Sequence, residues 1–231
     1  MDGLGNSYFG GKKMEHDFVY DDKEEVKKVR QILFDIIHKV QDELRDSEEE
    51  ITFQYRIVGS AKRNMITCDR KSNVGFDFDI NLYVNDYGDY DDDPEELRKI
   101  LRLTFDRIAR KYEYSYCEDS TSVLTIKKIN THRSQILHSF DFCIISNQEP
   151  DYYIRFDKKV NNYVWAERKH IDKEIDKKAE WLKRNNKWLE VREHYIKLKD
   201  NNDNPNRKSI SIYRETISNL YNTYHNKKGK C

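Results

Sequence analysis

The sequence predicts an α+β fold in which helices flank a mixed β-sheet and a helical lobe follows at the C-terminal end. Apolar residues recur every three or four positions over residues 23–44, which predicts an amphipathic helix. Apolar and polar residues alternate over residues 75–84, which predicts a strand with one face in a core. From about Ile171 onward the spacing is helical again.

The length of the chain bounds its organisation. Its 231 residues fit one larger domain or two small ones. We expect residues 1–15, which are rich in glycine and polar groups, to form a flexible leader. Residues 16–157 are then the core, and residues 158–231 are a mainly helical C-terminal lobe.

The predicted elements of the core follow in order. A strand over residues 51–58 ends at Gly59-Ser60, and residues 61–74 show no clear period, which predicts a loop. After the strand at residues 75–84, Asp93 can cap a helix whose first turn contains Pro94. Further β-rich stretches cover residues 112–117, 122–129, 135–146, 152–156 and 163–165.

In the C-terminal part, two sets of residues repeat every seven positions: Ile175, Leu182, Leu189 and Ile196, and beside them Trp181, Trp188 and Tyr195. Such a stripe is typical of packing rather than of a cofactor site. A last helix is predicted over residues 209–224, after an Asn-rich breaker.

Composition and charge limit the classes of function. The mean hydropathy is −0.99 and the net charge is zero, yet residues 158–231 contain 19 Lys and Arg against 10 Asp and Glu. This asymmetry fits a polyanion held between an acidic and a basic half, or simply an uneven surface charge. The four cysteines lack zinc-site or disulfide spacing, and no apolar run resembles a signal peptide or membrane span, so we expect a cytoplasmic protein without a membrane partner.

The most informative residues are two aspartates in the predicted strand at residues 75–84. On a strand, Asp77 and Asp79 point to the same face, opposite Phe76 and Phe78. Two carboxylates this close repel each other and raise each other's pKa unless a cation lies between them, and a divalent metal is the commonest solution.

A third carboxylate and a turn extend this pattern. Asp141 lies between two phenylalanines in an apolar run, so it needs either a metal or a hydrogen-bonding partner. If its strand lies beside that of Asp77 and Asp79, three carboxylates converge as a ligand set for two Mg²⁺ ions. Gly59 and Ser60 end a strand, where backbone N–H groups and a hydroxyl can bind phosphate.

The order of these residues resembles the signature of the DNA polymerase β-like nucleotidyltransferase superfamily. The resemblance implies that residues 16–157 form a catalytic core with a mixed sheet. It also implies that Gly59 and Ser60 grip a nucleoside triphosphate and that Asp77, Asp79 and Asp141 hold two Mg²⁺ ions, with Mn²⁺ as an alternative. Asp141 would also help to deprotonate an acceptor hydroxyl.

The segment between Ser60 and Asp77 is longer than is usual in that superfamily. It contains four basic residues, Lys62, Arg63, Arg70 and Lys71, and we assign a phosphate role only to Lys62 and Arg63. The resemblance implies an NTP substrate. The acceptor stays open among nucleic acid, a nucleotide, a small molecule and a protein hydroxyl, because fold does not set substrate. The oligomeric state also stays open.

Two other classes of function use the same residues. A catalytically silent member could bind nucleic acid or a protein partner through its basic C-terminal half, although such a module does not need three convergent carboxylates. A metal-dependent phosphodiesterase could use the same acids, and dependence on an NTP separates it from a nucleotidyltransferase.

Overall fold

A computed structural model describes residues 15–19, 24–69, 74–85, 90–148, 151–168, 173–204 and 207–227. The helices are α1 (Glu24–Arg45), α2 (Gly59–Lys62), α3 (Pro94–Arg110), α4 (Lys173–Arg184), α5 (Trp188–Asp200) and α6 (Ser209–Lys227). The strands are β1 (His16–Phe18), β2 (Phe53–Val58), β3 (Thr67–Asp69), β4 (Val74–Val84), β5 (Glu118–Asp119), β6 (Leu124–Asn130), β7 (Gln135–Ser146), β8 (Tyr152–Asp157) and β9 (Asn162–Glu167). Apart from Glu15, the predicted leader lies outside the described residues.

A mixed seven-stranded sheet organises the larger of two units, residues 17–176. Its strand order is β2-β4-β7-β6-β5, with β8 beside β7 and β9 beside β8. Only the β4 and β7 pair is parallel among these pairings, and the others are antiparallel. The predicted α+β fold with a mixed sheet is confirmed.

One face of this sheet is the core. The apolar residues of β4 that the alternation assigns to this face, Phe76, Phe78, Ile80, Leu82 and Val84, are all buried. Helices α1 and α3 contribute to the same core, and the ring of Phe105 on α3 stacks 4.2 Å from that of Phe142 on β7. The opposite face of β4 and β7 therefore carries the polar residues.

The start of α3 follows the predicted capping pattern. The Oδ1 atom of Asp93 accepts a hydrogen bond of 3.0 Å from the backbone N–H of Glu96, and Pro94 occupies the first helical turn. The side chain thus satisfies one of the backbone donors that a helix leaves unpaired at its beginning.

The strand predicted over residues 112–117 is wrong. The chain turns after α3, where Glu113 has a φ of 61°, and strand pairing begins only at Glu118. The N–H of Cys117 donates to the side chain of Asp106 instead of to a neighbouring strand, and the Tyr114 hydroxyl lies 2.7 Å from Nε2 of His138 in the core. Aromatic content suggested a strand, but here the buried ring of Tyr114 anchors a loop to the core.

The predicted loop over residues 61–74 also needs correction. It contains the end of α2 and the strand β3, which pairs with β1 in a separate two-stranded sheet. A strand of three residues has too few positions to show an alternating pattern, and its pairing partner is distant in sequence. The basic residues Arg70 and Lys71 lie outside the described residues.

Among the described residues, the second unit comprises Glu15, His16 and the chain from Lys177 onward. Helices α5 and α6 pack within it through Val191, Tyr195, Ile212, Tyr213 and Ile217. The seven-residue repeat is interrupted between α4 and α5, and Leu189 is 66% exposed whereas Leu182 is buried. The predicted last helix is confirmed as α6, and the predicted boundaries at residues 15 and 157 stay predictions.

None of the described helices combines the length and the apolar character needed to cross a membrane.

Candidate active site

The centre of the candidate site is a row of residues that runs across five neighbouring strands. In the register of the sheet, Val58 pairs with Asp79, Asp79 pairs with Asp141, and Asp141 pairs with Thr125. Glu118 on β5 completes the row beside Thr125. Because directly paired residues point to the same side of a sheet, the row lies on the face opposite α1 and α3.

The remaining carboxylate, that of Asp77, belongs to the next row of the sheet. Asp77 pairs with Ser139, and Ser139 pairs with Lys127. One carboxylate oxygen from each of Asp77, Asp79 and Asp141 lies within 4.8 Å of the others. The predicted convergence of the three carboxylates is therefore confirmed, because β4 and β7 are adjacent and in parallel register.

The Gly-Ser turn is packed directly against one of these carboxylates. Gly59 has a φ of +63°, and a Cβ atom at this position would lie 1.8 Å from Oδ2 of Asp79. The backbone N–H of Ser60 donates a hydrogen bond to the Asp79 side chain. Only glycine fits here, both for its backbone conformation and for its size. In this structure the turn holds the carboxylate in place.

The electrostatics of Asp79 reflect its crowded setting. Burial, and then the negative charges of Asp77 and Asp141, raise its pKa from 3.8 to about 6. The charge of Arg63 and the N–H of Ser60 act in the opposite direction. In the described part of the chain, the charge of Arg63 thus does not offset the burial and repulsion that act on Asp79, and this is the condition that favours a bound cation.

The pKa of Asp141 is raised as well. Burial is the main reason that its pKa is raised, and the charge of Asp77 adds to it. The hydroxyl of Thr125 opposes this shift by donating a hydrogen bond of 2.6 Å to Oδ1 of Asp141. Lys127 also opposes it, but its Nζ atom forms an ion pair with Glu118.

Thr125 and Lys127 are site residues that sequence reasoning missed. Leu124 and Ile126 are buried, so alternation along β6 could have placed both polar residues on the opposite face. That alternation does not say which strand lies beside β6 or in which register. Their contact with the carboxylates depends on the pairing of β6 with β7.

A third row extends the polar face away from Asp77. It contains Arg56, Asn81 and Cys143. The amide of Asn81 donates a hydrogen bond of 3.0 Å to the hydroxyl of Tyr83, and the guanidinium carbon of Arg56 lies 5.0 Å from the centre of the Tyr83 ring. Burial raises the pKa of the Cys143 thiol to about 11, so this thiol is protonated at neutral pH. Alternation along β4 alone assigns Asn81 to the face of Asp77 and Asp79, whereas Arg56 and Cys143 join it through strand pairing.

The predicted phosphate-binding residues differ in exposure. Lys62 is exposed at the end of α2, whereas Arg63 is half-buried and its charge lowers the pKa of Asp79. Arg63 is thus close enough to act electrostatically on the carboxylates. The predicted contacts of Gly59, Ser60, Lys62 and Arg63 with a triphosphate stay predictions.

Comparison with known proteins identifies structural but not sequence relatives. No protein-family model matches the chain, and no curated protein is significantly similar. The chain resembles Vibrio cholerae DncV cyclic AMP-GMP synthase in complex with the linear intermediate 5' pppA(3',5')pG, with a TM-score of 0.53, 12% identity, and coverage of 89% of this chain and 68% of that chain.

The 3'-deoxy GTP bound form of DncV gives a TM-score of 0.52 at 12% identity, with coverage of 89% and 67%. The chain spans only 51% of the DncV chain in the 3'-deoxy ATP bound form, so it corresponds to part of the length of that protein. At these identities the likeness concerns the fold. The chain shares the fold of these DncV structures, and Asp77, Asp79 and Asp141 are gathered on its sheet.

Proposed function

We propose that this protein is a metal-dependent nucleotidyltransferase that transfers a nucleoside monophosphate from an NTP to a hydroxyl acceptor. The observation that carries the proposal is the cluster of three carboxylates within 4.8 Å on a sheet of this fold. The raised pKa of Asp79 supports it, because gathering three half-buried acids is costly unless a cation accompanies them. A purely structural role would not require this crowding.

The donor set fits a hard divalent cation. Mg²⁺ and Mn²⁺ prefer carboxylate oxygens and complete their shells with water and substrate phosphates. Asp77, Asp79 and Asp141 would hold two such ions, which when bound stabilise negative charge on the attacking and leaving oxygens.

The roles of the protein side chains follow from their places around this cluster. Asp141 lies beside Asp79 at the side of the cluster nearest β6, and it would accept the proton of the acceptor hydroxyl. The hydroxyl oxygen then forms a bond to the α-phosphorus while the bond from that phosphorus to the bridging oxygen breaks, and pyrophosphate leaves.

The triphosphate would lie on the side of Gly59 and Ser60. Lys62 and Arg63 supply positive charge there, and Arg63 already acts electrostatically on Asp79. Arginine and lysine close to a triphosphate offset its charge and hold it in position for attack.

A second nucleotide is the acceptor that we favour. The DncV structures with which this chain shares its fold are those of a cyclic AMP-GMP synthase, and one contains a linear dinucleotide intermediate. Nucleic-acid ends and small-molecule hydroxyls are the other acceptors to test, since one fold serves many substrates.

Pyrophosphate release tests the proposal. The protein is incubated with each of the four NTPs, singly and in pairs, with Mg²⁺ or Mn²⁺, and products are identified by mass spectrometry. We expect pyrophosphate and a 5'-triphosphate dinucleotide or its cyclic form. The variant Asp77→Asn/Asp79→Asn should abolish both products, whereas the control Asp91→Asn/Asp92→Asn, which removes the same charge from exposed positions, should not.

Activity that is unchanged in the Asp77→Asn/Asp79→Asn variant would contradict the proposal. So would the absence of pyrophosphate with every NTP and with RNA, DNA and nucleotide acceptors. RNA binding that survives loss of the three aspartates, without any pyrophosphate release, would favour a catalytically silent binding module instead.

A further inference from the structure

We propose that Thr125 is a positioning residue that orients the carboxylate of Asp141 for metal binding and for proton acceptance. This inference rests on the proposed function. Thr125 is the direct neighbour of Asp141 in the register of β6 and β7, and its Oγ1 donates a hydrogen bond of 2.6 Å to Oδ1. This length is typical of a hydroxyl that donates to an ionised carboxylate.

The position of Thr125 determines which side of the carboxylate is engaged. Asp141 lies between Asp79 on β4 and Thr125 on β6. A hydrogen bond from the β6 side engages Oδ1 and so opposes rotation of the carboxylate group. Asp141 therefore presents a carboxylate of fixed orientation to the cluster with Asp77 and Asp79.

The physical need for such a contact comes from repulsion. The terminal torsion of an aspartate is broad, so the carboxylate of Asp141 can rotate at little cost in the absence of a partner. The charge of Asp77 acts unfavourably on Asp141 in its half-buried setting. A donor on the opposite side opposes any rotation that this repulsion would favour.

Thr125 is well suited to this role. Its side chain is branched at Cβ, which restricts rotation about χ1 on a strand and holds the hydroxyl in one direction. The neighbouring cation, Lys127, is already paired with Glu118 and is not hydrogen-bonded to Asp141 in the described part of the chain. The orientation of Asp141 thus depends on the hydroxyl of Thr125.

Two substitutions separate the hydroxyl from the shape of the side chain. Thr125→Val keeps the branched shape and removes the donor, and Thr125→Ser keeps the donor. Thr104→Val is the control, because it removes the same hydroxyl from a buried threonine whose hydrogen bond is donated within α3, to the carbonyl of Ile100. Each protein is assayed for kcat and KM with NTP, for Mn²⁺ affinity from the paramagnetic resonance of free Mn²⁺, and for thermal unfolding.

We expect Thr125→Val to lower kcat and to weaken Mn²⁺ binding by about 10-fold to 100-fold, the range typical when a residue that orients a metal ligand is removed. The KM for NTP should change little, because Thr125 does not lie on the side of Gly59 and Ser60. Thr125→Ser should restore both values, and Thr104→Val should alter only thermal unfolding.

Wild-type kcat and Mn²⁺ affinity in Thr125→Val would overturn the inference, as would failure of Thr125→Ser to restore them. If the wild-type protein releases no pyrophosphate with any NTP, the proposed function fails, and the Mn²⁺ titration alone decides the role of Thr125. In that titration, equal Mn²⁺ affinity of the wild type and Thr125→Val would reject the positioning role of Thr125. The absence of Mn²⁺ binding by the wild type would reject it as well.

Discussion

Replacing Asp79 by asparagine should stabilise the metal-free protein at neutral and alkaline pH. The folded protein raises the pKa of Asp79 from 3.8 to about 6, chiefly by burial and by the charges of Asp77 and Asp141. Between these two values the folded state binds more protons than the unfolded state, so this group lowers stability as pH rises. Above pH 6 this difference between the folded and unfolded pKa values lowers the free energy of unfolding by about 3 kcal/mol.

The assay is urea unfolding of the wild type and Asp79→Asn in the presence of EDTA. We expect the variant to be more stable by up to about 3 kcal/mol at pH 8 and by about half of that at pH 5. Asp92→Asn removes an exposed carboxylate and serves as a control that should show no such gain. Addition of Mg²⁺ should stabilise the wild type and narrow the difference, since a cation offsets the repulsion.

Two results would contradict this prediction. Equal stability of the wild type and Asp79→Asn at pH 8 in EDTA would mean that burial and repulsion together do not disfavour the ionised carboxylate of Asp79. A gain in stability of Asp79→Asn that is the same at pH 5 and pH 8 would mean that the effect of the substitution is not electrostatic.

Two more predictions concern the turn and the core. Gly59→Ala should cost about 1–2 kcal/mol of stability through its left-handed backbone, and the clash with Asp79 should lower Mn²⁺ affinity by at least about 10-fold. Asn161→Ala is the control, because Asn161 is exposed and has a φ of 53°, so this substitution should show only the backbone cost. Wild-type Mn²⁺ binding by Gly59→Ala would contradict the packing of Gly59 against Asp79. Burial lowers the pKa of His138 to about 4, so the unfolded state binds more protons below pH 6.5, and the contribution of His138 to stability should fall by about 2 kcal/mol from pH 7 to pH 5. Urea unfolding of His138→Phe should lack this part of the pH dependence, and an unchanged dependence would show that His138 is not its source.

Much of the fold was predictable because the local patterns are strong. The alternation on β4 predicted which side chains are buried, and the capping pattern at Asp93 and Pro94 predicted where α3 begins. Both patterns depend on residues only a few positions apart. The prediction of a strand over residues 112–117 failed because Tyr114 packs a loop against the core, and a local pattern does not distinguish such a loop from a strand.

The candidate site was predictable only in part. Asp77, Asp79 and Asp141 stand out because carboxylates are rare in apolar strands. Thr125 does not stand out, because threonine is common in strands and its neighbours on β6 look ordinary. The packing of Gly59 against Asp79 likewise has no local signal beyond the Gly-Ser pair itself.

The three acids, the strand faces that carry them and the resemblance that suggested their role are all readable from the order of the residues. That β4 and β7 are parallel neighbours, that Asp79 and Asp141 are paired, and that Thr125 lies next to Asp141 became known only from the packed sheet. The two kinds of information differ because alternation depends on the geometry of one strand alone. Register depends on contacts between strands that are distant in sequence, and these contacts arise only when the whole sheet packs against its helices.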